Sequence, residues 1–122
     1  MRACERKYRR IKYQQTVELK TATGLVLNAH GENISADGIE VVCDELSAKA
    51  VLPLNYQRDP DKPLLLSVEL NLDDKGKPLH VSCCVMNVRR LSQDIFSFHL
   101  QFTKLKPQTL RLLEELVSKQ VS

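Results

Sequence analysis

Period-two alternation of apolar and polar residues dominates this sequence. Leu64, Leu66, Val68, Leu70 and Leu72 alternate with Leu65, Ser67, Glu69 and Asn71. Phe96, Phe98, Leu100 and Phe102 alternate with Ser97, His99, Gln101 and Thr103. In an extended chain successive side chains point to opposite faces, so each run is a strand with one face in a core. A weaker alternation sets Ile11, Tyr13, Gln15, Val17 and Leu19 against Lys12, Gln14, Thr16, Glu18 and Lys20. Leu25–Leu27 begins another strand after the turn Thr21-Ala22-Thr23-Gly24, and Ile39, Val41 and Cys43 mark a further one. Val81, Cys83 and Val85 share one phase, whereas Met86 and Val88 take the other, which predicts a bulge in the strand from about Pro78 to Arg90. Asp73-Asp74-Lys75-Gly76 reads as the hairpin turn before it.

Two regions break this pattern. Residues 44–63 contain Pro53, Pro60 and Pro63 and read as a loop, with a short helix near Glu45–Ala50. Near the end, Pro107 suits a first helical turn, and Leu110, Leu112, Leu113, Leu116 and Val117 form the apolar stripe of a helix over 107–119. Six successive strands followed by one helix predict a mainly β fold. A six-stranded antiparallel β-barrel leaves no exposed edge, and the C-terminal α-helix then covers one opening or side. With 122 residues the chain is read as one domain spanning 1–122: arm 1–10, barrel 11–104 and helix 107–119.

Charge is unevenly placed. Of the net charge of +3, residues 1–10 alone carry +4, through Arg2, Arg6, Lys7, Arg9 and Arg10 against Glu5. A general nucleic-acid binder spreads basic residues over a face of its fold and adds exposed aromatic platforms. Here the phenylalanines alternate into the core, and Tyr8 and Tyr13 are too few for a stacking surface. A short basic arm, flexible in the free protein, points to a small, localised anionic partner. No secretory leader and no run of membrane-spanning length is present, so no membrane insertion is expected. Cys4, Cys43, Cys83 and Cys84 match neither a zinc spacing nor a disulfide framework. They read as reduced thiols of a cytoplasmic protein, with Cys43 and Cys83 as small core hydrophobes. His30, His80 and His99 lack companion ligands, so no metal or cofactor is expected, and no nucleophile elbow, phosphate loop or acid pair suggests an enzyme.

Two short constellations remain. Arg6 and Arg10 stand four apart just before the first strand, with Arg9 as an additional cation. The stretch Asn33-x-Ser35-x-x-Gly38 precedes the strand of Ile39, Val41 and Cys43. Asn33 and Ser35 lie two apart and share a face when extended. Gly38 allows either a positive φ or the close approach of a ligand to the backbone. This pair of motifs, R-x-x-x-R and [D/N]-x-S-x-x-G, resembles that of the PilZ domain family. The Phe96–Phe102 strand and the closing helix are similar to the end of that fold, so the resemblance covers essentially the whole chain.

The resemblance implies a bacterial receptor for cyclic di-GMP, often bound as a stacked dimer. Arg6 and Arg10 then hold phosphate and guanine, Asn33 and Ser35 read guanine, and Gly38 permits close backbone contact. The residue chemistry suits those roles. A guanidinium fork matches the O6 and N7 acceptors of guanine, and charge-assisted bonds to phosphate are short and strong. Closure of the arm over the ligand would alter a surface that a protein partner reads. The alternative is a PilZ-like interaction module without nucleotide binding, using the 44–63 loop or the terminal helix. Either reading predicts a monomer or weak dimer.

Overall fold

The computed structural model describes residues 10–52, 64–71 and 78–121, the side chains of 120 and 121 excepted. The barrel strands are β2 (Thr16–Thr21), β3 (Val26–Ile34), β4 (Gly38–Asp44), β5 (Leu65–Leu70), β6 (Leu79–Arg90) and β7 (Ile95–Lys104). They are antiparallel in the order β3-β2-β5-β6-β7-β4, and β4 pairs back onto β3 to close the ring. This is the six-stranded closed barrel that the alternation predicts. A two-residue strand, β1 (Ile11–Lys12), pairs with the end of β3, so that Ile11 faces Ile34 and Lys12 faces Asn33.

The core follows from register. Ile34, Ile39, Leu100 and Val85 stand directly opposite one another across β3, β4, β7 and β6, and all are buried. Leu19, Val68 and Val81 form a corresponding row across β2, β5 and β6. Each such side chain contributes about 1.5–3 kcal/mol by leaving water. Phe96, Phe98 and Phe102 fill the interior from β7, as their alternation requires. Helix α2 (Pro107–Val121) starts at the expected proline and runs slightly past the expected end. Leu113 is its fully buried anchor, while Leu116 and Val117 pack against the edge of the core.

One local feature departs from the sequence reading, and two others follow it. The first predicted strand is two strands, because the chain kinks at Tyr13–Gln15. Gln15 N–H donates to the Tyr13 carbonyl (3.0 Å), Tyr13 N–H donates to Glu32 and Gly31 N–H donates to Gln15. A Cβ on Gly31 would lie 2.8 Å from both the ring and the carbonyl of Tyr13, so glycine makes the kink possible. The Tyr13 hydroxyl is fastened to the Asn71 main chain at 2.9 Å, and Gln15 turns outward. The short helix is α1 (Glu45–Val51), capped by Asp44, whose carboxylate accepts the Ser47 N–H at 2.8 Å. Ala48 and Val51 bury its inner face. The β6 bulge is present, with the β6–β7 register shifting between Val85 and Asn87. Met86 and Asn87 both face outward, and Val88 returns toward the core. The turn Asp73–Gly76, the arm up to Arg9 and loop residues 53–63 lie outside the described residues.

Cys43 and Cys83 sit in the core as free thiols. Burial, assisted by the neighbouring Asp44 charge, pushes Cys43 up to about 11. Burial and then Cys84 push Cys83 up to about 12. Both are therefore protonated and unreactive near neutrality. Brief alkylation of the native protein followed by peptide mass mapping should leave Cys43 and Cys83 unmodified, and unfolding in denaturant should expose them. Rapid native modification of either would contradict this packing.

Candidate functional site

The hairpin between β3 and β4 presents the second motif. Ser35 N–H donates to the Gly38 carbonyl at 2.9 Å and closes the connection. The buried Ser35 hydroxyl donates to the Asp37 carboxylate, which caps the turn locally. Asp37 in turn accepts the Phe102 N–H through its carbonyl at 2.9 Å, which pins the hairpin to β7. Among the described residues the glycine with positive φ is Gly24, at 93°, so Gly38 is not needed for a left-handed turn. Its requirement is steric. A Cβ there would overlap the Leu100 carbonyl oxygen and lie 3.3 Å from the Gln101 Cα. The close backbone approach that glycine allows is thus made by β7.

Hairpin register sets Asn33 directly opposite Glu40, and β4–β7 pairing sets Glu40 opposite His99. Glu40 is the centre of the outer face here. Its Oε1 accepts from Asn33 Nδ2 at 3.0 Å and lies 3.9 Å from the Arg10 guanidinium. Its Oε2 accepts from the Ser97 hydroxyl at 3.0 Å and lies 4.0 Å from Arg89. Burial pushes the Glu40 carboxyl up. The bonds from Asn33 and Ser97 and the charges of Arg10 and Arg89 together outweigh that push and hold it below the usual carboxylate range.

Two motif residues therefore meet at one carboxylate: Arg10, which adjoins β1, and Asn33 on β3. Ser35 and Gly38 sit at the hairpin next to them. Arg6 and Arg9 lie outside the described residues. Sequence reasoning missed Glu40, Ser97 and Arg89 as parts of this cluster. Glu40 was accessible in principle, because a tight Ser35–Gly38 hairpin fixes Asn33 opposite it. Ser97 and Arg89 depend on the long-range β4–β7 and β6–β7 pairings and have no local signal. Among the described residues no group of histidine, cysteine or acidic side chains is arranged to hold a metal ion.

Two outcomes follow from this geometry. A depressed carboxyl stabilises the fold fully above its unfolded value, about 4.3, and that stability is lost as pH falls through the lower folded value. The melting-temperature gap between wild type and Glu40→Gln should therefore be widest near neutral pH and narrow progressively in acid. A gap independent of pH would exclude this linkage. Gly38→Ala should cost on the order of 1–3 kcal/mol in denaturant unfolding, because the methyl group collides with main chain of β7; an unchanged midpoint would show that β4 shifts freely.

The PilZ domain family model matches residues 5–119. No curated protein matches the sequence. Among solved structures, the chain is similar to the Bacillus subtilis inhibitor of motility MotI/DgrA, at 17% identity and a TM-score of 0.70, covering 99% of this chain and 54% of that one. It is also similar to the PilZ domain of Escherichia coli YcgR with c-di-GMP, at 13% identity and a TM-score of 0.68, covering 95% and 91% respectively. A third is the K. pneumonia MrkH–c-di-GMP complex, at 14% identity and a TM-score of 0.68, covering 96% and 52%. The chain spans about half the length of the MotI/DgrA and MrkH chains. Barrel topology, the hairpin motif and the extent of the family match lead to one conclusion: the chain belongs to the PilZ domain family.

Proposed function

We propose that this chain is a cyclic di-GMP receptor of the bacterial cytoplasm, with one PilZ domain over residues 1–122 and no catalytic activity. The observation that carries this reading is the convergence of Arg10 and Asn33, distant in sequence, on the same carboxylate. A guanidinium and an amide held together on an open sheet face offer the donors that a guanine edge and a phosphate accept. Membership of the family and the likeness to PilZ structures that contain c-di-GMP support the same ligand. In this reading Arg6 and Arg10 hold guanine and phosphate, Arg9 adds charge, Asn33 and Ser35 read the base, and Gly38 keeps the hairpin against β7.

Ordering the arm over the ligand costs roughly 1–2 kcal/mol per backbone residue. Several charge-assisted bonds of about 1.5–3 kcal/mol each are needed to offset it. The closed arm presents a new surface to a protein partner, and the domain acts as a monomer or weak dimer. One observation favours the alternative of an interaction module without nucleotide binding: the Ser35 hydroxyl and Arg10 already have partners, Asp37 and Glu40, within the chain.

Calorimetric titration with cyclic di-GMP, with GTP and cyclic di-AMP as controls, separates the two readings. The receptor reading expects saturable, guanine-selective binding of one or two ligands per chain. It expects Arg10→Ala and Ser35→Ala each to weaken binding by about tenfold or more, with the circular dichroism spectrum unchanged. No heat and no shift in melting temperature with wild-type protein would leave the interaction-module reading standing.

A further inference from the structure

The face around Glu40 extends beyond the two motifs. Register places Lys12, Asn33, Glu40, His99 and Asn87 side by side across β1, β3, β4, β7 and β6. Glu40 sits at the middle of this row, and its side chain keeps 22% exposure. Among the described residues, its hydrogen bonds come from Asn33 and Ser97, one to each oxygen. Arg10 and Arg89 stand at 3.9 and 4.0 Å, within ion-pair range but beyond hydrogen-bond length. Each carboxylate oxygen has more than one lone pair, so capacity to accept remains on both.

A carboxylate is an acceptor only, and its two oxygens are spaced to take two parallel N–H bonds. The Watson–Crick edge of guanine offers such a pair, N1–H and the exocyclic N2–H. Adenine presents an acceptor at N1 and no amine at C2. Asn33 provides one carbonyl oxygen and cannot accept both donors as a carboxylate does, and its amide nitrogen is already turned to Glu40. Arg10, beside the same carboxylate, is placed to reach O6 of a base whose Watson–Crick edge lies on Glu40.

We infer that Glu40 is a specificity-determining residue of the nucleotide site, accepting the N1–H and N2–H donors of a guanine between the guanidinium groups of Arg10 and Arg89. This inference rests on the receptor reading above and goes beyond its motifs to a carboxylate that neither contains.

The test is a cycle between side chain and ligand group. Wild type and Glu40→Gln are titrated by calorimetry with cyclic di-GMP and with cyclic di-IMP, whose hypoxanthine lacks the N2 amine. Wild type is expected to prefer cyclic di-GMP by about tenfold or more. In Glu40→Gln, which replaces one carboxylate oxygen with a donor, that preference should collapse toward unity. Equal weakening of both ligands would overturn the inference, because Glu40 would then only position Arg10 and Asn33. Tighter binding of both would also overturn it, since the carboxylate would merely compete for Arg10. If Glu40→Gln does not fold, Glu40→Asp, which keeps the charge but withdraws it by one methylene, must lose the same preference. Should wild type bind no cyclic di-GMP, the receptor reading fails and this inference with it. Should wild type bind, with Arg10→Ala impaired and the Glu40→Gln preference intact, this inference alone fails.

Discussion

Closure of the barrel through β4 is the constraint on which the molecule depends. Strand β4 pairs on one side with β3 and on the other with β7, so its backbone groups are paired along both edges and no sheet edge is left between them. The approach is tightest at Gly38, where the Leu100 carbonyl occupies the space a side chain would need. Without that approach Ile39 and Val41 would not meet Leu100 and Phe98, and these two buried rows of the interior would open. The same contact that closes the core therefore fixes the hairpin that carries Asn33 and Ser35.

Closure also assembles the polar cluster on the outside. Alternation sends Ile39 and Val41 inward and Glu40 outward between them. Once β4 lies between β3 and β7, Glu40 has Asn33 on one side and β7 residues on the other, with Ser97 within hydrogen-bond reach. Two arginines from chain segments far apart then face one carboxylate. Burial opposes ionisation of that group, yet four favourable contacts outweigh it. The cluster is in this sense a product of core packing, because its positions follow from strands whose inner faces are buried.

Much of this is legible in the sequence. Phe96–Phe102 and Leu64–Leu70 alternate so regularly that periodicity alone gives their inner faces, and the phase change at Val85–Met86 marks the bulge. The kink at Tyr13–Gln15 was not legible. It depends on the space left by Gly31, eighteen residues later by number, and on a tyrosine hydroxyl reaching Asn71. The local sequence suggests a conformational or ligand-directed role for Gly38, whereas its neighbour in space is the β7 backbone, which no local pattern names.

By itself, the sequence determined the strands after the first with their inward faces, the terminal helix and the two motifs, because these follow from local periodicity and from residue chemistry. Tertiary structure decided which outward residues become neighbours. Glu40, Ser97 and Arg89 are ordinary polar positions on three separate strands, and only the long-range register brings them together with Arg10 and Asn33. Periodicity fixes the face on which a side chain lies, but pairing between distant strands fixes what it meets there.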